Sequence, residues 1–271
     1  MDKQPNEHYD FEISEEGLSY DILDVSFNPT TQNFIKKNGI KPGMRVLDIG
    51  SGSGVMTHFL AQQVGEDGHI LSIDISPEQL NRAQRYCEHH NDKNVSFKVL
   101  SAYDLDKLQD IFDLIYCRFV LHHLHSPKLA INLFYNCLQK GGVYMAEEGI
   151  ISAAFSYPTS KAWQYNRQQM PKPEEEKNGI GRDGDFGMKL IYWMKKTGFD
   201  IKDASLVQPL LLTSQSKHML LDGHYAFKKT AIAQGLSEAE WEQQTQELKR
   251  LAKDEFSVVG FYQSCQVWGT K

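Results

Sequence analysis

Paired cysteines, long apolar runs and an excess of positive charge are all absent from this chain of 271 residues. Its four cysteines, Cys87, Cys117, Cys137 and Cys265, stand at no paired spacing. That argues against a disulfide scaffold or a thiolate metal site and suits buried or free thiols in a reducing cytoplasm. No stretch reaches the roughly 18–20 apolar residues of a membrane span, and the polar, acidic segment Met1–Glu16 lacks the apolar centre of a secretory signal. Lysine and arginine number 29 against 35 aspartates and glutamates, a net charge of -6. The basic residues are scattered or paired with acids, so a nucleic acid, whose phosphates normally require clustered cations, is not an expected partner. No internal repeat is present. What remains, 41% hydrophobic and 24% charged residues, is the balance of a soluble globular protein with enough chain for a substantial core.

The most informative segment is Arg45-Val46-Leu47-Asp48-Ile49-Gly50-Ser51-Gly52-Ser53-Gly54. Val46, Leu47 and Ile49 suit a buried parallel strand, and the glycines let the backbone turn and approach a ligand where a Cβ would clash. In a dinucleotide fingerprint the third glycine would fall at Val55; here it stands one place earlier, at Gly54, and the acid Asp48 precedes the first glycine. A second apolar run, Ile70–Ile75, carries Asp74 about 20–25 residues beyond the glycines, the distance expected of a carboxylate that reaches a ribose. Ser76-Pro77-Glu78-Gln79 then reads as a helix start with proline at the first helical position. Met56, Phe59, Leu60 and Val64 form a helical stripe that suits plain core.

This D-x-G-x-G-x-G arrangement resembles the first motif of class I S-adenosylmethionine-dependent methyltransferases. The segment Phe112–Leu124, ending Leu121-His122-His123-Leu124, is similar to one found in small-molecule members of the ubiquinone/menaquinone-biosynthesis type. Gly141-Gly142 and the run Val143–Glu148 resemble the turn and fifth strand of that family, with Gln139-Lys140 in place of the usual pair before the glycines. The resemblance implies a Rossmann-like, doubly wound α/β fold: a seven-stranded sheet whose last strand is antiparallel, with helical cap elements added. Strands are expected near 45–50, 70–75, 95–100, 112–117, 142–148, 199–207 and 260–268. S-adenosyl-L-methionine is the implied cofactor. Its site would comprise Asp48, Gly50, Ser51, Gly52 and Gly54, with Asp74 on the ribose hydroxyls and Ile75 against the adenine. Cys117, Arg118, Phe119 and His123 would lie beside the methionine part, and Tyr20 is a candidate for its carboxylate. Many relatives place an acid after the third strand to meet the adenine amine, whereas this chain reads Leu100-Ser101-Ala102-Tyr103-Asp104. Ser101, the backbone around Ala102 and Tyr103, or Asp104 would then serve.

His122, His123 and His125 have three readings. A metal site is disfavoured because no cysteine or acid accompanies them at ligand spacing, and no metal is expected. A general base is better suited to a side chain of this type. Packing or cofactor contact at the start of a helix is the plainest reading. For the chemistry itself the donor is already an activated electrophile, so alignment and exclusion of water matter most and no catalytic residue is obligatory. His123 and Glu147 are the named base candidates, with Glu148 and Tyr157 behind them.

Three segments add to the core. Residues 1–40 form an N-terminal helical lid, broken at Asn28-Pro29-Thr30 before a helix from Thr31 to Asn38. Residues 41–150 are the cofactor-binding core. Residues 151–182 are a cap insertion whose Phe155, Tyr157 and Trp163 would line an apolar substrate pocket. Residues 183–271 complete the core and carry a helical insertion, 214–256, read as two helices, the second capped by Ser237-Glu238-Ala239-Glu240. All three are read as one cap over the carboxyl edge of the sheet; dimerisation through them is equally permitted. The expected function is methyl transfer to a small, partly apolar molecule at O, N or C. The alternatives are a non-catalytic S-adenosylmethionine-binding regulatory protein and a methyltransferase acting on protein or RNA. A nicotinamide dehydrogenase is disfavoured by the glycine spacing, and aminopropyl transfer by the absence of an aspartate-x-aspartate pair after the fourth strand.

Overall fold

A computed structural model of the chain describes residues 18–168, 183–226, 228–233 and 235–271, side chains excepted at 18–22, 165–168, 226 and 230. In chain order the elements are α1 (Leu18–Lys37), β1 (Arg45–Ile49), α2 (Val55–Val64), β2 (His69–Asp74), α3 (Pro77–His89), β3 (Val95–Val99), β4 (Phe112–Arg118), α4 (Pro127–Cys137) and β5 (Leu138–Ile150). There follow β6 (Phe155–Tyr157), α5 (Lys161–Gln168), α6 (Leu190–Thr197), β7 (Asp200–Val207), β8 (Leu210–Leu211), α7 (Ser214–Lys217), α8 (Met219–Ala226), α9 (Lys228–Ala233), α10 (Glu238–Lys253), β9 (Val258–Gly260) and β10 (Gln263–Thr270). The described residues fall into two compact units. The core unit holds 27–149, 183–207 and 264–271; the other holds residues up to 26, 150–168 and 208–263. The lid segment is therefore divided, since Phe27–Ile40 belong with the core.

The core unit is built on a seven-stranded sheet in the order β3-β2-β1-β4-β5-β10-β7. β1 pairs in parallel with both β2 and β4, β4 with β5, and β2 with β3, whereas β10 runs antiparallel to β7. Such a sheet demands apolar strands covered on both faces. On one face Val46, Ile70, Leu114 and Met145 pack with Leu60 and Val64 of α2 and with Phe34 and Ile35 of α1, all buried. On the other, Phe134 of α4 meets Tyr144 edge-on at 5.6 Å, and Tyr144 lies 5.2 Å from Phe199. The order reverses between β1 and β4, which puts the turns after these two strands on either side of the topological switch point where ligands of open α/β sheets bind.

The expectations for the first helix and the last strand are corrected. Asn28-Pro29-Thr30 does not break the first helix: α1 runs through with Pro29 inside. Proline removes one backbone donor, while the Thr30 hydroxyl donates to Phe27 O at 2.8 Å and the Thr31 hydroxyl lies 2.9 Å from the same oxygen, tying the turn locally. The expected strand over 260–268 is two strands, because Phe261 N turns aside to donate to Pro209 O at 2.9 Å. β9 then pairs with β6 and β8 in a separate three-stranded antiparallel sheet.

In the second unit that sheet sets Phe155, Gly260 and Leu210 in one cross-strand row, while Val259 and Leu211 on the opposite face are buried. Among the described residues the helical insertion has four helices rather than two. The last, α10, begins with the expected capping box: Ser237 Oγ accepts from Glu240 N at 3.2 Å and Glu240 Oε2 accepts from Ser237 N at 2.9 Å. Its buried face presents Trp241, Leu248 and Leu251. His224 of α8 lies flat on Trp241 with ring centroids 3.6 Å apart, its Nε2 2.9 Å from Thr245 Oγ1.

Burial drives the His224 imidazole from its ordinary 6.5 down to about 4. Between those values the unfolded chain binds the proton and the folded chain does not, so stability rises with pH through this window. Urea unfolding followed by circular dichroism is expected to give a lower midpoint at pH 5 than at pH 7.5, and His224→Gln should flatten that difference. A second test contrasts two glycines of the core unit, both at positive φ. A Cβ on Gly54 would sit 2.6 Å from the Ala83 Cα, whereas one on Gly65 meets nothing within 4 Å. Gly65→Ala should cost about 1 kcal/mol and Gly54→Ala at least about 2 kcal/mol in the same experiment.

Candidate active site

The turn after β1 carries three left-handed glycines, Gly50 (φ 84°), Gly52 (51°) and Gly54 (83°). Gly50 N donates to Ile73 O at 2.8 Å and Gly54 N to Ser51 O at 2.9 Å, which curls the chain against β2 and into α2. Gly50 also lies against the turn after β4: a Cβ there would fall 2.5 Å from Val120 Cγ2. Beneath the turn Asp48 is fully enclosed. Its Oδ2 accepts from Thr57 Oγ1 at 2.6 Å and Ser72 Oγ at 2.8 Å. Burial pushes its carboxyl up, and these hydroxyls pull it back only in part. Asp48 is thus a buttress that ties β1, β2 and α2 together, and its side chain is not presented to a ligand.

Asp74 ends β2 beside this turn. Its Oδ1 accepts from Ser76 N at 2.9 Å, and its Oδ2 lies 3.5 Å from Gly52 N. Burial raises its carboxyl above the usual range, against the backbone amides of Ser76, Gly52 and Ile75, which favour the charged form. Ile75 follows, half-buried. After β3 the chain makes a turn in which Asp104 N donates to Ser101 O. Ala102 and Tyr103 are buried there, and the Tyr103 hydroxyl accepts from Ser126 N at 2.7 Å. Asp104 pairs with Lys107 at 2.8 Å, so the acid nearest the missing one is already engaged.

At the end of β4 the Cys117 side chain is fully buried and its thiol is pushed well above the usual range by burial, leaving only its backbone to meet a ligand. Arg118 Nη1 donates to Asn28 Oδ1 at 2.7 Å. Phe119 adopts φ 54° and sets its ring edge-on to Phe27 at 5.1 Å. Glu147, a base candidate, is buried on β5 and accepts from Thr31 Oγ1 at 2.6 Å, Ser264 Oγ at 2.7 Å and Gln266 Nε2 at 3.1 Å. Enclosed at 1% exposure and tied to α1 and β10, it is corrected from a base to a structural carboxylate. His123 lies on a 3-10 turn over Leu121–His123, its ring 3.9 Å from that of His122. His122 in turn meets the buried Glu148, a pairing that sequence reasoning missed: its partners lie 26 residues apart and only the parallel pairing of β4 with β5 unites them. Among the described residues no three His, Cys, Asp or Glu side chains gather as a metal site.

Of the expected substrate residues, Phe155 and Tyr157 are exposed on β6, at 43% and 73%. Trp163 departs from them: it is buried and lies parallel to Phe261 with centroids 6.3 Å apart, so it serves the interior of its own unit. Tyr20 lies in the first turn of α1, its side chain outside the described residues. The stretch 169–182 of the cap insertion is also outside them.

The seven-stranded sheet with an antiparallel edge pair, the alternate-glycine turn at the switch point and the acid ending β2 define an S-adenosylmethionine-dependent methyltransferase of class I. The chain belongs to the methyltransferase-domain family, which matches residues 40–192. It is similar to a ubiquinone biosynthesis O-methyltransferase of Xylella fastidiosa, 27% identical over 182 residues, 66% of this chain and 70% of that one. A ubiquinone/menaquinone biosynthesis C-methyltransferase of Vibrio campbellii is 30% identical over 163 residues, 58% of this chain and 62% of that one. The YcgJ protein of Bacillus subtilis shares the fold at a TM-score of 0.61 and 15% identity, covering 90% of this chain and 98% of that one. No described helix is long and apolar enough to cross a membrane.

Asp74→Ala is expected to weaken S-adenosylhomocysteine at least about 100-fold in calorimetry with circular dichroism unchanged, as loss of a buried charge-assisted contact should. Asp104→Ala should change affinity less than about threefold.

Proposed function

We propose that S-adenosylmethionine lies along the glycine turn with its ribose hydroxyls on Asp74, and that its methyl group passes to a small, partly apolar molecule. One observation carries this reading. A carboxylate has about four acceptor sites, and among the described residues backbone amides alone engage that of Asp74, so capacity remains for a hydroxyl donor beside a turn of alternate glycines. Ile75 and the backbone of Ala102 and Tyr103 are assigned to the adenine. The backbone at Cys117 and Phe119, with Arg118 and His123, is assigned to the methionine part. Relatives of this chain are named for O- and C-methylation in ubiquinone and menaquinone biosynthesis, which supports a small acceptor; the net charge of -6 speaks against a nucleic acid. Phe155 and Tyr157 are assigned to acceptor recognition, as exposed aromatic side chains of the added segment. Four buried free thiols fit a reducing compartment, and the cytoplasm is the proposed location.

Calorimetry with S-adenosylmethionine, S-adenosylhomocysteine and NAD tests the site: the first two should bind and the third should not, and binding of NAD alone would overturn the reading. Incubating the protein with methyl-labelled S-adenosylmethionine and small-molecule extracts should give a labelled small product. Label on protein or RNA would replace the acceptor class, and tight binding with no labelled product would favour a regulatory protein. The double variant Phe155→Ala, Tyr157→Ala should keep S-adenosylhomocysteine affinity within about twofold, because acceptor residues leave the donor site intact.

A further inference from the structure

Glu148 is fully buried at the end of β5, and its carboxylate gathers the whole turn after β4. Oε1 accepts from Val120 N at 3.0 Å and from Leu121 N at 2.7 Å. Oε2 lies 3.4 Å from His122 N and 2.7 Å from His122 Nδ1. A carboxylate held by that many amides acts as an acceptor, so the imidazole carries its proton on Nδ1 and leaves Nε2 bare. Among the described residues no hydrogen bond reaches Nε2, and the His122 side chain keeps 12% exposure. The ring is set between Phe119, 6.2 Å away edge-on, and His123. The turn that carries it is the one Gly50 touches through Val120.

We infer that His122, oriented by Glu148, is the base that takes the proton from a hydroxyl or amine acceptor. The inference rests on the methyl-transfer reading above. As the acceptor oxygen or nitrogen forms its bond to the methyl carbon, its proton passes to His122 Nε2. The carbon–sulfur bond breaks with its electron pair staying on sulfur, which loses its positive charge, and the imidazolium then gives the proton to water. Glu148 is the positioning residue: it fixes the tautomer that exposes a lone pair and stabilises the cation that forms. A buried orienting acid behind a histidine with one unengaged nitrogen is the arrangement a base requires. Glu147 cannot match it, because it is enclosed between Thr31 and the β10 residues Ser264 and Gln266 at 1% exposure. The acceptor class narrows accordingly to molecules with an ionisable O–H or N–H.

Among the described residues the charged and titratable groups around the ring include Glu148 from β5, its neighbour His123, and Asp183, whose N–H donates to His122 O and whose carboxylate pairs with Lys189 at 3.0 Å. The test follows the His122 imidazole by NMR in histidine-labelled protein, with His122→Gln used only to assign its signals. Two ligands are compared: S-adenosylhomocysteine, and sinefungin, which carries a protonated amine where the donor carries its methyl group. If Nε2 faces the reacting methyl, the added cation should lower the His122 titration midpoint by about 1 pH unit relative to S-adenosylhomocysteine, with the proton on Nδ1 in the neutral form. Equal midpoints, or a proton on Nε2, would show a clip that only holds the turn and would overturn the assignment. Glu148→Gln should move the proton to Nε2, since its amide then donates to Nδ1; an unchanged tautomer also counts against it. If neither ligand binds, the cofactor reading itself falls and the base assignment with it.

Discussion

Burial of two consecutive carboxylates, Glu147 and Glu148, at 1% and 0% exposure, constrains the core unit more than any apolar contact. A charge taken from water costs several kcal/mol unless hydrogen bonds replace the lost solvent, and leaving one unmatched is among the most destabilising changes known. Successive residues of a strand point to opposite faces, so the two acids recruit different surroundings. Glu147 draws Thr31 of α1 and the alternate residues Ser264 and Gln266 of β10. Glu148 draws the backbone of Val120 and Leu121 and the ring of His122. One dipeptide thereby fixes the helix that enters the unit, the antiparallel strand that closes it, and the turn beside the glycines. Apolar packing tolerates small slips; a network in which each donor has one position does not.

The rest of the switch point follows the same logic on the side of β1. Asp48 is held by hydroxyls of α2 and β2, and the one from β2, Ser72, also meets Ser51 of the glycine turn at 2.9 Å, so the turn is tied to a polar support. Close approach comes from what is missing. Gly54 brings α2 to within contact of the Ala83 backbone of α3, and Gly50 brings the turns after β1 and β4 together. Both contacts would be lost to a single methyl group. The conformational entropy that glycine costs the folded state is the condition for a ligand to meet backbone amides directly.

What the sequence reveals and what it hides differ by the range of the interaction. The seven strands of the large sheet are legible because each is an apolar run bounded by turn residues, and the glycine turn and Asp74 because their geometry is decided within a few residues. Pro29 misleads because its compensation comes from Thr30 and Thr31, whose hydroxyls reach back to Phe27 O and turn a breaker into an interior residue. The alternation over Phe261–Trp268 runs unbroken past the point where the backbone changes sheets, since periodicity does not register that Phe261 N bonds to Pro209 O. Trp163 looks like a pocket aromatic by composition, and only its stacking on Phe261 shows otherwise. The choice between Glu147 and Glu148, and between His122 and His123, is invisible for a similar reason. Each pair is adjacent in the chain, and the face assigned to each member is set by strands and turns brought together from far along it.

The division between legible and hidden parts also separates donor from acceptor chemistry. Methyl transfer from a sulfonium needs little from the protein beyond alignment and exclusion of water. The donor half can therefore be a local, recurrent device of glycines and one acid, and it is recognisable in a short motif. The acceptor half has no such economy. A carbon nucleophile on an electron-rich ring arrives ready, whereas a hydroxyl or amine must lose a proton at the moment of attack, and the group that receives it has to be placed within hydrogen-bond reach and kept in the right tautomer. Such placement demands a second residue behind the first, and in this fold the carboxyl end of β5 is the nearest rigid position from which the turn after β4 can be held. On that proposal the acid at Glu148 is where a general architecture would become specific to one kind of acceptor, because the same carboxylate that fixes the amides of the turn also fixes the imidazole.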